Sequence, residues 1–87
     1  MAVVVLRAPL RDRAEGQGEV SLPGGTVGEV LRELERRFPH LEGWILDEHG
    51  RVRRHVNVFV DGERGWEGTT VAPVARIHVL ASISGGG

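Results

Sequence analysis

The chain has no cysteine. Disulfides, thiolate metal sites and a nucleophilic thiol are thereby excluded, and any sulfur it handles must sit somewhere other than on a side chain. It has no lysine either, since all 11 cationic side chains are arginine. That removes a Walker-type phosphate loop, a Schiff base and an ε-amine able to accept an isopeptide bond. No apolar run approaches the roughly 20 residues of a membrane span. The opening Ala2–Leu6 is too short for a secretory leader and is followed by Pro9 and charges, so a cytoplasmic location is expected. A formal net charge of −1 gives no bulk attraction to nucleic acid or anionic membrane, and neither is expected as a partner.

What is present fits one soluble domain. The 87 residues leave no room for a second core, and 40% apolar with 26% charged residues is an ordinary globular balance. Ala2 to Arg7 is a continuous β-branched run, as expected of a central strand covered on at least one face. Residues 8–18 read as loop. Glu19–Leu22 alternates at period two and should pair with the first strand as a hairpin, until Pro23-Gly24-Gly25 stops it.

Thr26 to Phe38 is the clearest helix. Thr26 and Glu29 have capping-box spacing. Val27, Val30, Leu31, Leu34 and Phe38 fall on one stripe, with Arg32, Glu33, Arg36 and Arg37 opposite and Glu33–Arg37 spaced for an ion pair. Pro39 ends it. Leu41, Trp44, Ile45 and Leu46 then form a short turn expected to pack on the core. His55–Val60 reads as a strand with its valines on one face, Asp61-Gly62 as a tight turn, and residues 63–75 as loop with one short strand near Trp66. Arg76–Ile83 is the final strand. One amphipathic helix must bury its stripe on one face of the sheet, and the two most apolar strands, first and last, should be parallel neighbours at its centre. The expected fold is α+β: a β-grasp, or ubiquitin-like, mixed sheet of four or five strands with one main helix.

Chemistry inside the chain is sparse. His40, His49, His55 and His78 are scattered, without metal-site spacing, and no metal is expected. Glycines 24 and 25 before a helix could bind an anion through free amides, but turn chemistry explains them better. Arg51-Val52-Arg53-Arg54-His55 is a basic cluster without interleaved aromatics, which suits a solvated edge or a patch facing an acidic partner. Asp47, Glu48, Glu63 and Glu67 show no spacing of a catalytic carboxylate pair. No catalytic residue is expected. In the last strand Leu80 falls on the face opposite Ile77 and Val79, as Phe59 falls opposite the valines of its own strand. Both are candidates for docking a partner.

The C-terminus is the most informative segment. Residues 1–81 read as the folded domain and 82–87 as a flexible tail, Ser82-Ile83-Ser84-Gly85-Gly86-Gly87. Terminal glycines often simply fray. Glycine also passes a narrow channel without a Cβ striking its walls, and such a tail offers one reactive group, its terminal carboxyl.

Tail and fold together resemble the ubiquitin-like sulfur carriers. That family includes the small subunit of molybdopterin synthase, the thiamine sulfur carrier, and carriers for cysteine synthesis and tRNA thiolation. The resemblance runs through the first strand, Gly24-Gly25-Thr26-Val27, Leu31, Leu34, His55–Gly62 and Val79–Gly86, and His55–Gly62 is most similar to the cysteine-synthesis type. It implies that an ATP-dependent, E1-like enzyme adenylates the terminal carboxyl at Gly87 or Gly86, with Ser84 and Gly85 in the entering tail. A sulfur donor then displaces AMP, leaving a thiocarboxylate for a sulfur-accepting synthase. The carrier would itself hold no cofactor, catalyse nothing, and be a monomer when free. The family generally ends on two glycines and this chain on three. Gly87 is therefore the working carboxyl, a residue trimmed before activation, or an appended one. Two other readings stay open: a modifier joined to target amines through the same carboxyl, and a β-grasp binding module without sulfur chemistry.

Overall fold

The two most apolar runs lie side by side in the middle of the sheet. In the computed structural model, which describes residues 1–82, strand β1 (Ala2–Leu6) runs parallel to strand β5 (Arg76–Ala81), with Val4 opposite Ile77 and Leu6 opposite Val79. Strand β2 (Glu19–Leu22) pairs antiparallel with the free side of β1, forming the expected hairpin. On the other side β3 (Val56–Val60) pairs antiparallel with β5, and β4 (Glu63–Gly65) with β3. The order is β2-β1-β5-β3-β4. Asp61 and Gly62 join β3 to β4 with φ of 49° and 90°, the positive pair a two-residue hairpin turn requires.

Alternation decides what each strand buries. Ala2, Val4 and Leu6 face inward, as do Val20, Leu22, Val56, Val58, Ile77 and Val79, all buried. The helix stripe completes this core: Val27, Val30, Leu31 and Leu34 have no exposed surface, and Phe38 is buried behind them. Helix α2 (Val27–Arg37; the shorter α1 is Leu10–Arg13) is capped by Thr26, whose Oγ1 accepts the Glu29 amide at 3.2 Å. The return bond of the cap is displaced by one residue, Glu29 Oε1 accepting the Gly25 amide at 2.7 Å. That amide is thus spoken for, which supports turn chemistry over anion binding. Gly24 has no alternative, since a Cβ there would lie 2.7 Å from Val30 Cγ2, at a φ of +146°.

Several sequence expectations need correcting. Residues 8–18 are not all loop: Leu10–Arg13 is a short helix, α1, which buries Leu10 while Ala14 just after it is also buried. Trp44 is not in the core. It is 39% exposed, with the Arg13 guanidinium stacked 3.6 Å from its ring centre. Glu33 pairs with Arg36 at 3.4 Å, not with Arg37. The short strand expected near Trp66 ends one residue before it. After the 3₁₀ turn Pro39–Leu41, the chain is tied to α2 by Glu35, whose Oε2 accepts the amides of Ile45 at 3.0 Å and Leu46 at 2.8 Å. Asp47 caps the next turn through the amides of Arg51 and His49, and these bonds hold its carboxyl below the usual range. This topology, with one main helix over one face of a five-stranded mixed sheet, is the β-grasp.

Candidate functional site: the open sheet face and the root of the tail

Residues directly across a ladder share a face, so register alone assembles the side of the sheet that α2 leaves uncovered. One row crosses all five strands: Glu19, Val5, His78, Phe59 and Arg64, each opposite the next. A second row holds Leu80 opposite Asn57, and a third runs Ser21, Val3, Arg76. Val3, Val5, Phe59 and Leu80 are half-buried, an apolar strip still open to contact and interrupted by the half-buried His78. Leu80 and Phe59, singled out from the sequence, therefore lie diagonally across one ladder of the same face.

Charges frame the strip. Arg76 pairs with Glu19 across β1, Nη2 to Oε2 at 2.9 Å, with both side chains at least half exposed. Its backbone is clamped by the hairpin turn: Asp61 Oδ1 accepts the Arg76 amide at 3.0 Å, and the Asp61 amide donates to the Arg76 carbonyl at 2.9 Å. Along the other edge the Arg64 guanidinium stacks 4.5 Å from the Trp66 ring centre, and Trp66 is 56% exposed. Exposed pairs of this sort contribute little to stability, so they shape the surface more than they hold the fold.

The strip leads to the place where the tail begins. Ala81 pairs with Val56, the Ser82 amide donates to the His55 carbonyl at 2.7 Å, and Asn57 Nδ2 donates to Ser82 Oγ at 3.2 Å. Ser84, Gly85, Gly86 and Gly87, the expected tail and reactive end, lie outside the described residues. Among the described residues, no group of three or more His, Asp or Glu is placed to hold a metal ion, and no helix is long and apolar enough to cross a membrane.

Val3, Val5 and His78 were not named as site residues from the sequence. The signal for the two valines was present but masked, because β1 is apolar at every position and a fully apolar run does not say which face stays open. His78 needed the register, which places it between Val5 and Phe59.

The ThiS family profile matches residues 4–86. The sulfur carrier protein CysO of Mycobacterium tuberculosis is 30% identical over 83 residues, spanning 88% of this chain and 89% of that protein. Among solved structures, small archaeal modifier protein 1 from Methanosarcina acetivorans superposes with a TM-score of 0.81 at 28% identity, covering 95% of this chain and 93% of that one. The Amycolatopsis orientalis BexX/CysO complex contains a chain that matches with a TM-score of 0.86 at 23% identity, covering 97% and 98%. At that identity the last likeness speaks for the fold alone.

Proposed function

This chain belongs to the ThiS family, and we propose that it is a sulfur carrier whose C-terminal glycine carboxylate is activated and converted to a thiocarboxylate. The observation that carries the reading is the family match, which runs through the β-grasp and on into the glycine tail as far as Gly86. The protein is a carrier and co-substrate, not an enzyme.

The chemistry follows from what a carboxylate lacks. It is a poor acyl donor, so the terminal oxygen attacks the α-phosphorus of ATP on a partner enzyme. An acyl-adenylate forms and pyrophosphate leaves. Hydrosulfide then attacks the acyl carbon, the C–O bond to AMP breaks, and AMP leaves with the electron pair. Loss of a proton gives the thiocarboxylate, with nucleophilic sulfur on the backbone itself. Absence of cysteine is consistent with this, since no side-chain thiol competes for the activated carbonyl. Leu80 and Phe59 on the open face dock the carrier, while Ser84, Gly85, Gly86 and Gly87 enter the channel. The likeness to CysO favours cysteine synthesis as the receiving pathway.

The test is intact-mass analysis after incubation with the cognate activating enzyme, ATP and sulfide. One oxygen replaced by sulfur is expected, and lost when residues 85–87 are deleted while the thermal melt is unchanged. No mass change with the correct enzyme would sink the carrier reading. Likeness to small archaeal modifier protein 1 favours a second reading, conjugation to target amines through the same carboxyl. Covalent adducts on lysines of other proteins would reveal it.

A further inference from the structure

The basic residues before β3 have no part in the chemistry of the terminal carboxyl. The fold brings two of them, Arg54 and His55, to one flank of the strand that carries the tail. His55 accepts the Ser82 amide through its carbonyl, and Arg54 precedes it. On the other flank β1 ends at Leu6, opposite Val79, so Arg7 follows alongside Leu80. Arg7, Arg54 and His55 are all exposed. Among the described residues the ion pairs are Arg36–Glu33, His49–Glu48 and Arg76–Glu19, and none involves these three. Their neighbours in sequence differ. Arg51 shares a turn with Asp47 and Glu48, and Arg53 lines a cleft with Glu35, Glu42, Asp47 and Glu48.

We propose that Arg7 and Arg54 form a cationic collar on either side of the root of the tail, with the exposed His55 beside them, and that it docks on an acidic protein surface at the mouth of the activating enzyme's tail channel. The inference rests on the carrier reading. Five residues beyond Ser82 span at most about 18 Å when fully extended. With the terminal carboxyl at a reaction centre inside the partner, the channel mouth must therefore approach the collar closely. Two arginines brought against an uncharged or basic rim would lose hydration and gain nothing. An acidic rim satisfies them and speeds encounter by steering. A nucleic-acid occupant is disfavoured by the net charge of −1 and by the lack of stacking aromatics in the basic run.

The test compares the wild-type chain with Arg7→Glu/Arg54→Glu and with the milder Arg7→Gln/Arg54→Gln. Both pairs alter only exposed side chains, and a thermal melt checks that the fold is kept. Association with the cognate activating enzyme is followed at low and high salt, and sulfur incorporation by intact mass. The collar predicts a wild-type association rate that falls with salt. Charge reversal should lower the low-salt rate about tenfold or more and flatten the salt dependence, with the Gln pair between. Conversion at saturating carrier should stay at the wild-type rate, so that KM rises and kcat does not. Wild-type sulfur incorporation with unchanged rates and salt dependence in both variants overturns the collar alone. No sulfur incorporation by the wild-type chain overturns the carrier reading and the collar with it. Binding of bulk tRNA by the wild-type chain, lost on charge reversal, overturns the protein partner in favour of nucleic acid.

Discussion

Replacing Glu35 by alanine should destabilise the domain out of proportion to any exposed helix residue. Its Oε2 accepts two backbone amides, those of Ile45 and Leu46, and both residues are buried. Hydrogen bonds to a charged acceptor contribute about 1.5–3 kcal/mol each, and two sharing one oxygen sum to less than twice that, so the loss is about 2–4 kcal/mol. A domain of 87 residues has a total stability of roughly 4–13 kcal/mol, of which this is a large fraction. At about 4–8 °C per kcal/mol the melting temperature falls by roughly 10–30 °C. Urea unfolding followed by tryptophan fluorescence is the assay, because Trp44 precedes the pinned segment directly. Glu35→Gln keeps an acceptor oxygen and should cost about 1 kcal/mol. Arg36→Ala, one residue on and exposed, should change little. If Glu35→Ala matches Arg36→Ala within about 0.5 kcal/mol, water replaces the carboxylate without loss and the reasoning fails.

Leu34 has no exposed surface, so Leu34→Ala should cost about 2–5 kcal/mol in the same assay, and a neutral result would mean that the helix does not cover the core as described. Leu80→Glu should weaken binding to the activating enzyme by about 1–3 kcal/mol while the melt stays near wild type, and unchanged affinity would make Leu80 an ordinary surface leucine. Each added residue lengthens an extended tail by roughly 3.3–3.6 Å, and a misplacement of about 1 Å at a reacting carbon can cost about 100-fold in rate. The chain ending at Gly86 is therefore expected to be adenylated at least as fast as the chain ending at Gly87. Clearly faster turnover of the longer form would assign all three glycines to the working tail.

The elements legible in the sequence were those whose cause is local. The stripe of α2 repeats over three turns, Thr26 and Glu29 announce its start, and Asp61-Gly62 fits one kind of hairpin turn. The central parallel pair was legible because a strand covered in the middle of a sheet reads as unbroken apolar sequence. What escaped depends on distant partners. Leu10 and Ala14 have helical spacing, but Leu10–Arg13 is about one turn, too short for a period to emerge. Trp44 looked like a core residue because nothing near it in sequence indicates that Arg13 stacks on its ring. Glu35 carries no local signal of its role, because its two amide partners lie 10 and 11 residues ahead. Of the candidate site, the outward set of β5 was readable from alternation, whereas the row joining it to Val5, Phe59 and Arg64 exists only through register.

The position of β5 has a mechanical consequence. It is the middle strand of five, hydrogen-bonded along both sides, and it is the strand that leads into the tail. A pull on the glycine end runs along the axis of β5 and loads both ladders in shear, so many bonds resist together. The same pull applied at an edge such as β2 would peel one ladder bond by bond. On the carrier reading, a partner that draws on the tail would meet little give at β5. In single-molecule stretching against a fixed point on β1, rupture from the C-terminus should need more force than rupture from β2, and equal forces would deny β5 this role as the tail's anchor.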